Sequence, residues 1–150
     1  MSASPRWVSR ELALAIHART VFLHGGQPGV RDEGLLESAL AAPQQRHAYE
    51  GADTPTLAAS YAYALSRNHA FLDGNKRTAL IVAGVFLELN GWRLECEEAE
   101  AAHVTLALAA GRLPEEDLVL WFKAAASKTR PASRRRKAPA TKRRRDRPSS

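Results

Sequence analysis

The sequence predicts an all-α domain, about six helices around one buried central helix, followed by a disordered basic C-terminal tail. Three observations predict it. Apolar residues recur at helical spacing in segment after segment, and no segment alternates long enough to form a confident strand. Capping residues, prolines and glycines punctuate those segments where helices start and stop. The Lys/Arg content then changes abruptly near the end of the chain.

The first helix is expected from Arg10 to about Leu23, with Ser9 as its N-cap and Gly25-Gly26 as its stop. Leu12, Ile16, Arg19 and Leu23 fall near one face, flanked by Leu14 and Val21. Asp32 caps a short second helix through Ala41, with Leu35, Leu36 and Leu40 inward and Pro43 ending it. Residues 43–53 read as a loop. Thr54 is expected to cap a third helix, with Pro55 at its first position, running to about Asn68. Its alanines and serines permit close packing. A loop, His69–Gly74, leads into a strongly apolar helix from about Asn75 to Asn90, stopped by Gly91. Apolar residues cover most of its circumference, which makes it the central helix. Trp92-Arg93-Leu94 is short and extended. Two more helices are expected over Glu97–Ala110 and Glu115–Ala126, with Leu118, Trp121 and Phe122 on one face of the last.

The net charge of +6 over 150 residues is unevenly spread. Residues 128–150 hold 11 Lys/Arg against one acid, Asp146, a net +10. Residues 1–127 hold 11 basic and 15 acidic residues, a net −4. A self-repelling segment with almost no side chain larger than alanine to bury cannot offset its ordering entropy. Residues 1–127 are therefore read as the domain and residues 128–150 as the tail. No run is long and apolar enough to span a membrane, and the N-terminus has no signal-type apolar stretch. Cys96 is the single cysteine, and no metal-ligand set surrounds it. A cytoplasmic protein is expected.

Chemistry concentrates in His69-Ala70-Phe71-Leu72-Asp73-Gly74-Asn75-Lys76-Arg77. The start of a buried helix offers free N–H groups and a positive dipole end, which suit phosphate. Gly74 permits close approach of a ligand to the backbone. Lys76 and Arg77 oppose the dipole of a bare helix, yet they make sense beneath an anion. Asp73 suits Mg²⁺, which takes one or two carboxylates and then phosphate oxygens. His69 titrates near neutrality and can accept a hydroxyl proton. Taken singly, each residue has a plainer reading: a cap, a turn or a solvated helix start. Phe71 is expected to anchor the loop in the core.

Elsewhere the plain reading leads. His17, His24, His47 and His103 lack ligand spacing and read as surface or packing residues. Arg67 is divided between phosphate or target contact and a structural salt bridge. Trp92 and Trp121 read as packing residues, as do Tyr61 and Tyr63. Glu95, Glu97, Glu98 and Glu100 read as a solvated helix start, and Cys96 as inert.

The run from His69 through Leu80 resembles the signature of the death-on-curing (Doc) toxins, a branch of the Fic/Doc superfamily. Gly25–Leu40 is similar to that family's upstream segment, and Leu87–Gly91 to the end of its central helix. The resemblance covers about residues 9–122. It implies a Fic/Doc-type helical fold and a toxin of a type II toxin–antitoxin system. The implied activity is ATP-dependent, Mg²⁺-assisted phosphorylation of a hydroxyl residue on a translation factor, elongation factor Tu. The implied partner is a small antitoxin whose C-terminal segment folds into a groove on the toxin. His69 would be the base and Asp73 the Mg²⁺ ligand. Gly74, Asn75, Lys76 and Arg77 would bind phosphate, with Lys76 also catalytic. Fic AMP-transferases usually carry proline, glycine and arginine where Ala70, Lys76 and Leu80 stand here, so AMP transfer is the second reading. A third, from another class, is a non-enzymatic nucleic-acid-binding protein that uses its basic tail for weak, nonspecific binding. The tail has no aromatic residue for base stacking. A plain solvated extension accounts for it as well.

Overall fold

The computed structural model describes residues 4–129. Six helices form the body: α1 (Arg10–His24), α2 (Glu33–Glu50), α3 (Thr54–Asn68), α4 (Asn75–Leu89), α5 (Glu98–Ala109) and α6 (Glu115–Ala125). Two three-residue strands, β1 (Trp92–Leu94) and β2 (Ala126–Lys128), pair antiparallel with Trp92 opposite Lys128. The all-α expectation holds, with this small sheet added.

Helix α3 lies at the centre, packed by α2, α4 and α6, while α1 and α5 lean on α4. It is the more deeply buried of the two central helices, with Leu57, Ala58, Ala59, Tyr61, Ala62 and Leu65 all at most 1% exposed. Its small side chains let the neighbouring helices approach closely, a route to burial that does not depend on bulk. Tyr61 accepts the Val8 N–H at 2.9 Å, and desolvation pushes its phenol up to about 12. Trp7 stacks on Phe86 of α4, which brings the N-terminal segment onto the core.

Several expectations need correction. Helix α2 does not stop at Ala41 but runs through Pro43 to Gly51, whose left-handed backbone and N–H to His47 close it. A mid-helix proline costs roughly 3 kcal/mol in isolation. Here Pro43 is buried, and Arg46 ties the second half down through Glu50 and through Glu115 of α6, each at 3.0 Å. The cap of α3 is Asp53, one residue before Thr54. Helix α1 buries Ala13, His17, Thr20 and Val21 most deeply, while Leu12, Leu14 and Ile16 are only partly buried against the core. Phe22 and Leu23 are exposed instead. Lys128, assigned to the tail by sequence, belongs to β2, and the Thr129 N–H bonds Gly91 O at 2.9 Å. The described body therefore runs past residue 127. Residues 130–150, where the rest of the disordered-tail expectation falls, lie outside the described residues.

Candidate phosphate-binding site

Helix α3 ends at His69, whose left-handed backbone (φ 53°) turns the chain out of the helix. It is the one non-glycine residue with positive φ among the described residues. Histidine tolerates that region better than most side chains, and sparsely populated backbone conformations gather at functional sites. Arg31 holds the turn in place: its Nε donates to His69 O at 2.8 Å, and its main-chain N–H to Ala70 O at 2.7 Å. Val30 pairs with Phe71 in an isolated antiparallel bridge, and the Leu72 N–H reaches Gly29 O. The segment Gly25–Arg31 thus runs alongside the loop.

Phe71 anchors the loop in the core at 1% exposure. Asn75 staples it: its Oδ1 accepts the Phe71 N–H and its Nδ2 donates to Phe71 O, both at 2.9 Å. The Asn75 side chain is therefore committed to the loop. At the start of α4 its main-chain N–H is the group left for a ligand. Helix α4 starts at Gly74 without a side-chain cap and has no acid in its first turn. Its leading N–H groups stand beside Lys76 and Arg77. This is the condition under which a helix end receives an anion.

His69, Leu72, Asp73, Gly74, Asn75, Lys76 and Arg77 line one cavity of about 350 Å³, closed across from α5 by Thr105. All six residues assigned to the site from sequence meet in it. The Lys76 ammonium stands 3.4 Å from both ring nitrogens of His69. Burial, then Lys76, then Arg31, hold His69 below the ordinary imidazole value, so its neutral form is favoured. Asp73 is exposed, and its Oδ2 accepts the Gln27 N–H at 2.9 Å. That is the carboxylate's one hydrogen bond among the described residues. The described residues hold no group of three metal-ligating side chains. One carboxylate at the mouth of a phosphate-sized polar cavity fits Mg²⁺, which arrives with phosphate oxygens and water. It does not fit a metal held by protein alone.

Sequence reasoning missed three contributors. Arg31, Gln27 and Thr105 reach the site from elsewhere in the chain, and no motif spacing marks them. Arg67 turns away: it donates to the Tyr63 hydroxyl, lies over that ring and does not line the cavity. Cys96 is held in its thiol form by burial and by Glu100. Trp121 is an edge residue that donates to Glu100 at 2.7 Å.

Fold and cavity together define a helical protein with an uncapped, cationic helix start at α4, beside a histidine whose neutral form is favoured. The chain belongs to the Fic/DOC family, whose model matches residues 7–87. It is 38% identical over 109 residues to Protein kinase doc of Escherichia phage P1, covering 72% of this chain and 86% of that protein. It is 47% identical over 77 residues to Toxin Doc of Mycolicibacterium smegmatis, covering 49% of this chain and 58% of that one.

Proposed function

We propose that this protein is the toxin of a toxin–antitoxin pair and a kinase that phosphorylates a protein hydroxyl with ATP. One observation carries the reading: His69, Asp73, Lys76 and Arg77 line a single cavity at the uncapped start of α4. The names of the two relatives, a kinase and a toxin, support it.

Neutral His69 takes the proton of the target hydroxyl. The hydroxyl oxygen bonds to the γ-phosphorus as the bond to the bridging oxygen breaks, and ADP leaves. The N–H groups of Asn75, Lys76 and Arg77 hold phosphoryl oxygens, and Lys76 swings from His69 onto the phosphate. Positioning and charge neutralisation supply most of the acceleration in such transfers. Asp73 would hold Mg²⁺, which supplies charge neutralisation at the phosphates. Elongation factor Tu is the target on this reading, and the cytoplasm is the compartment. Among the described residues no helix is long and apolar enough to cross a membrane.

On this reading the antitoxin segment lies in a groove beside the site. A cavity of about 530 Å³ between α1, α4 and α5 is lined by Leu80, Ile81, Ala101, Ala102 and Leu106. It shares Arg77 and Thr105 with the phosphate cavity, so a segment seated there reaches the site's edge.

The experiment is intact-mass analysis of elongation factor Tu after incubation with the protein, Mg²⁺ and ATP. A single added phosphate is expected. An AMP adduct without phosphate overturns the kinase reading in favour of AMP transfer. An unmodified factor together with salt-sensitive nucleic-acid binding favours the non-enzymatic reading.

A further inference from the structure

His17 is the buried polar side chain that this chemistry does not use. It stands on α1 directly behind the loop and is 3% exposed. Its Nε2 lies 2.8 Å from the main-chain oxygen of Asp73. A carbonyl oxygen only accepts, so Nε2 carries the hydrogen and His17 donates. The ring lies flat on Phe71, with centroids 3.8 Å apart and planes 8° apart. A Cβ built on Gly74 would stand 3.9 Å from both Cδ2 and Nε2. One imidazole therefore touches Phe71 and Asp73 and faces Gly74.

The peptide that His17 grips matters. Asp73 O and the Gly74 N–H belong to the same plane, and no peptide bond among the described residues is cis. In a trans peptide the N–H points opposite to the C=O. Holding the oxygen toward α1 aims the Gly74 N–H away from α1. Gly74 has φ 77° and no side chain to resist rotation, so nothing local fixes that plane. The other hold on Asp73 is at its carboxylate, from Gln27.

We propose that His17 is a positioning residue. Its Nε2–H locks the Asp73–Gly74 peptide, and with it the direction of the Asp73 carboxylate and of the Gly74 N–H toward the cavity. The inference rests on the proposed function only for what the cavity holds.

The test uses the full chain and three variants. His17→Phe keeps an aromatic ring on Phe71 but has no donor. His17→Met is a second donor-less variant. His17→Gln restores a donor. In amide NMR spectra of the ligand-free protein, Asp73 and Gly74 should give single sharp signals in the unmutated chain. The donor-less variants should broaden or double them, and His17→Gln should restore one set. Calorimetric binding of ATP with Mg²⁺ should weaken about tenfold in the donor-less variants, as losses of outer-sphere partners typically do. Unchanged loop signals in a folded donor-less variant overturn the positioning role. An unmutated chain that binds no ATP overturns the proposed function instead, and the loop signals still decide this inference.

Discussion

The ammonium of Lys76 stands 3.4 Å from both ring nitrogens of His69. That distance is long for a hydrogen bond, so the pair is loosely held and the lysine can leave for a phosphate. The positive charge also acts on the ring, because it makes a second positive charge there unfavourable.

A pH profile follows from that relationship. Burial, Lys76 and Arg31 all lower the His69 pKa from 6.5. The neutral base is lost as pH falls through the lowered value, so the acid limb of the rate should lie below pH 6.5. Lys76→Met removes one cause, and its residual activity should show the acid limb at higher pH. An acid limb that stays in place would remove His69 or its neighbour from the account. The sign for stability is the same: protonation favours the unfolded chain, so His69's contribution is lost as pH falls.

His69→Ala should keep the fold and lose activity by about 10²–10⁴-fold, the usual loss when a general base is removed. Single-turnover rates with ATP and the target give the comparison. A rate within threefold of the unmutated chain would show that the base lies elsewhere.

Asn75→Ala should destabilise the domain. It strands the buried N–H and C=O of Phe71, at about 1–3 kcal/mol for each group left unpaired. Asn75→Asp keeps the acceptor and loses the donor, so it should fall between the two. Urea denaturation reads both. Equal stability of all three chains would show that the staple holds nothing.

Thr78→Val should stabilise. The Thr78 hydroxyl is fully buried on α4 and has no hydrogen-bond partner among the described residues. A valine of the same shape removes that cost, about 1 kcal/mol or more. A rise in melting temperature is expected, and a fall would reveal a hidden partner for the hydroxyl.

Truncation should respect the small sheet. A chain ending at Thr129 keeps the pairing of β2 with β1 and the bond from the Thr129 N–H to Gly91, and it should melt like the full chain. A chain ending at Ala125 loses both and should melt lower. If the two melt together, the sheet adds nothing to the body.

The grouping of the candidate site residues in one cavity was legible because they are contiguous. His69 to Arg77 lie within one turn-and-helix start, and helix-end physics alone brings their backbone together. Helix α1 was misread for an equally physical reason. Periodicity weighs leucine and isoleucine heavily, whereas the most buried face is Ala13, His17, Thr20 and Val21, of which His17 and Val21 lie against the loop. The same bias hid His17. Pro43 looked like a terminator because its cost is local, while the compensation from Arg46 to Glu115 is remote. Strand β2 has three residues of no strand character and exists only because β1 lies beside it.

The restraints on the loop are remote as well. Arg31, Gln27 and His17 reach it across 38, 46 and 56 residues. The hairpin of α3 and α4 can assemble from near neighbours, but the rigidity of its connecting loop is borrowed from α1 and the segment after it. The two should therefore come apart at different free energies. In native-state hydrogen exchange, partial opening of α1 should release the loop amides while those in the middle of α4 stay protected until global unfolding. The site would then melt as a unit with the helix that holds it, ahead of the helix that carries it.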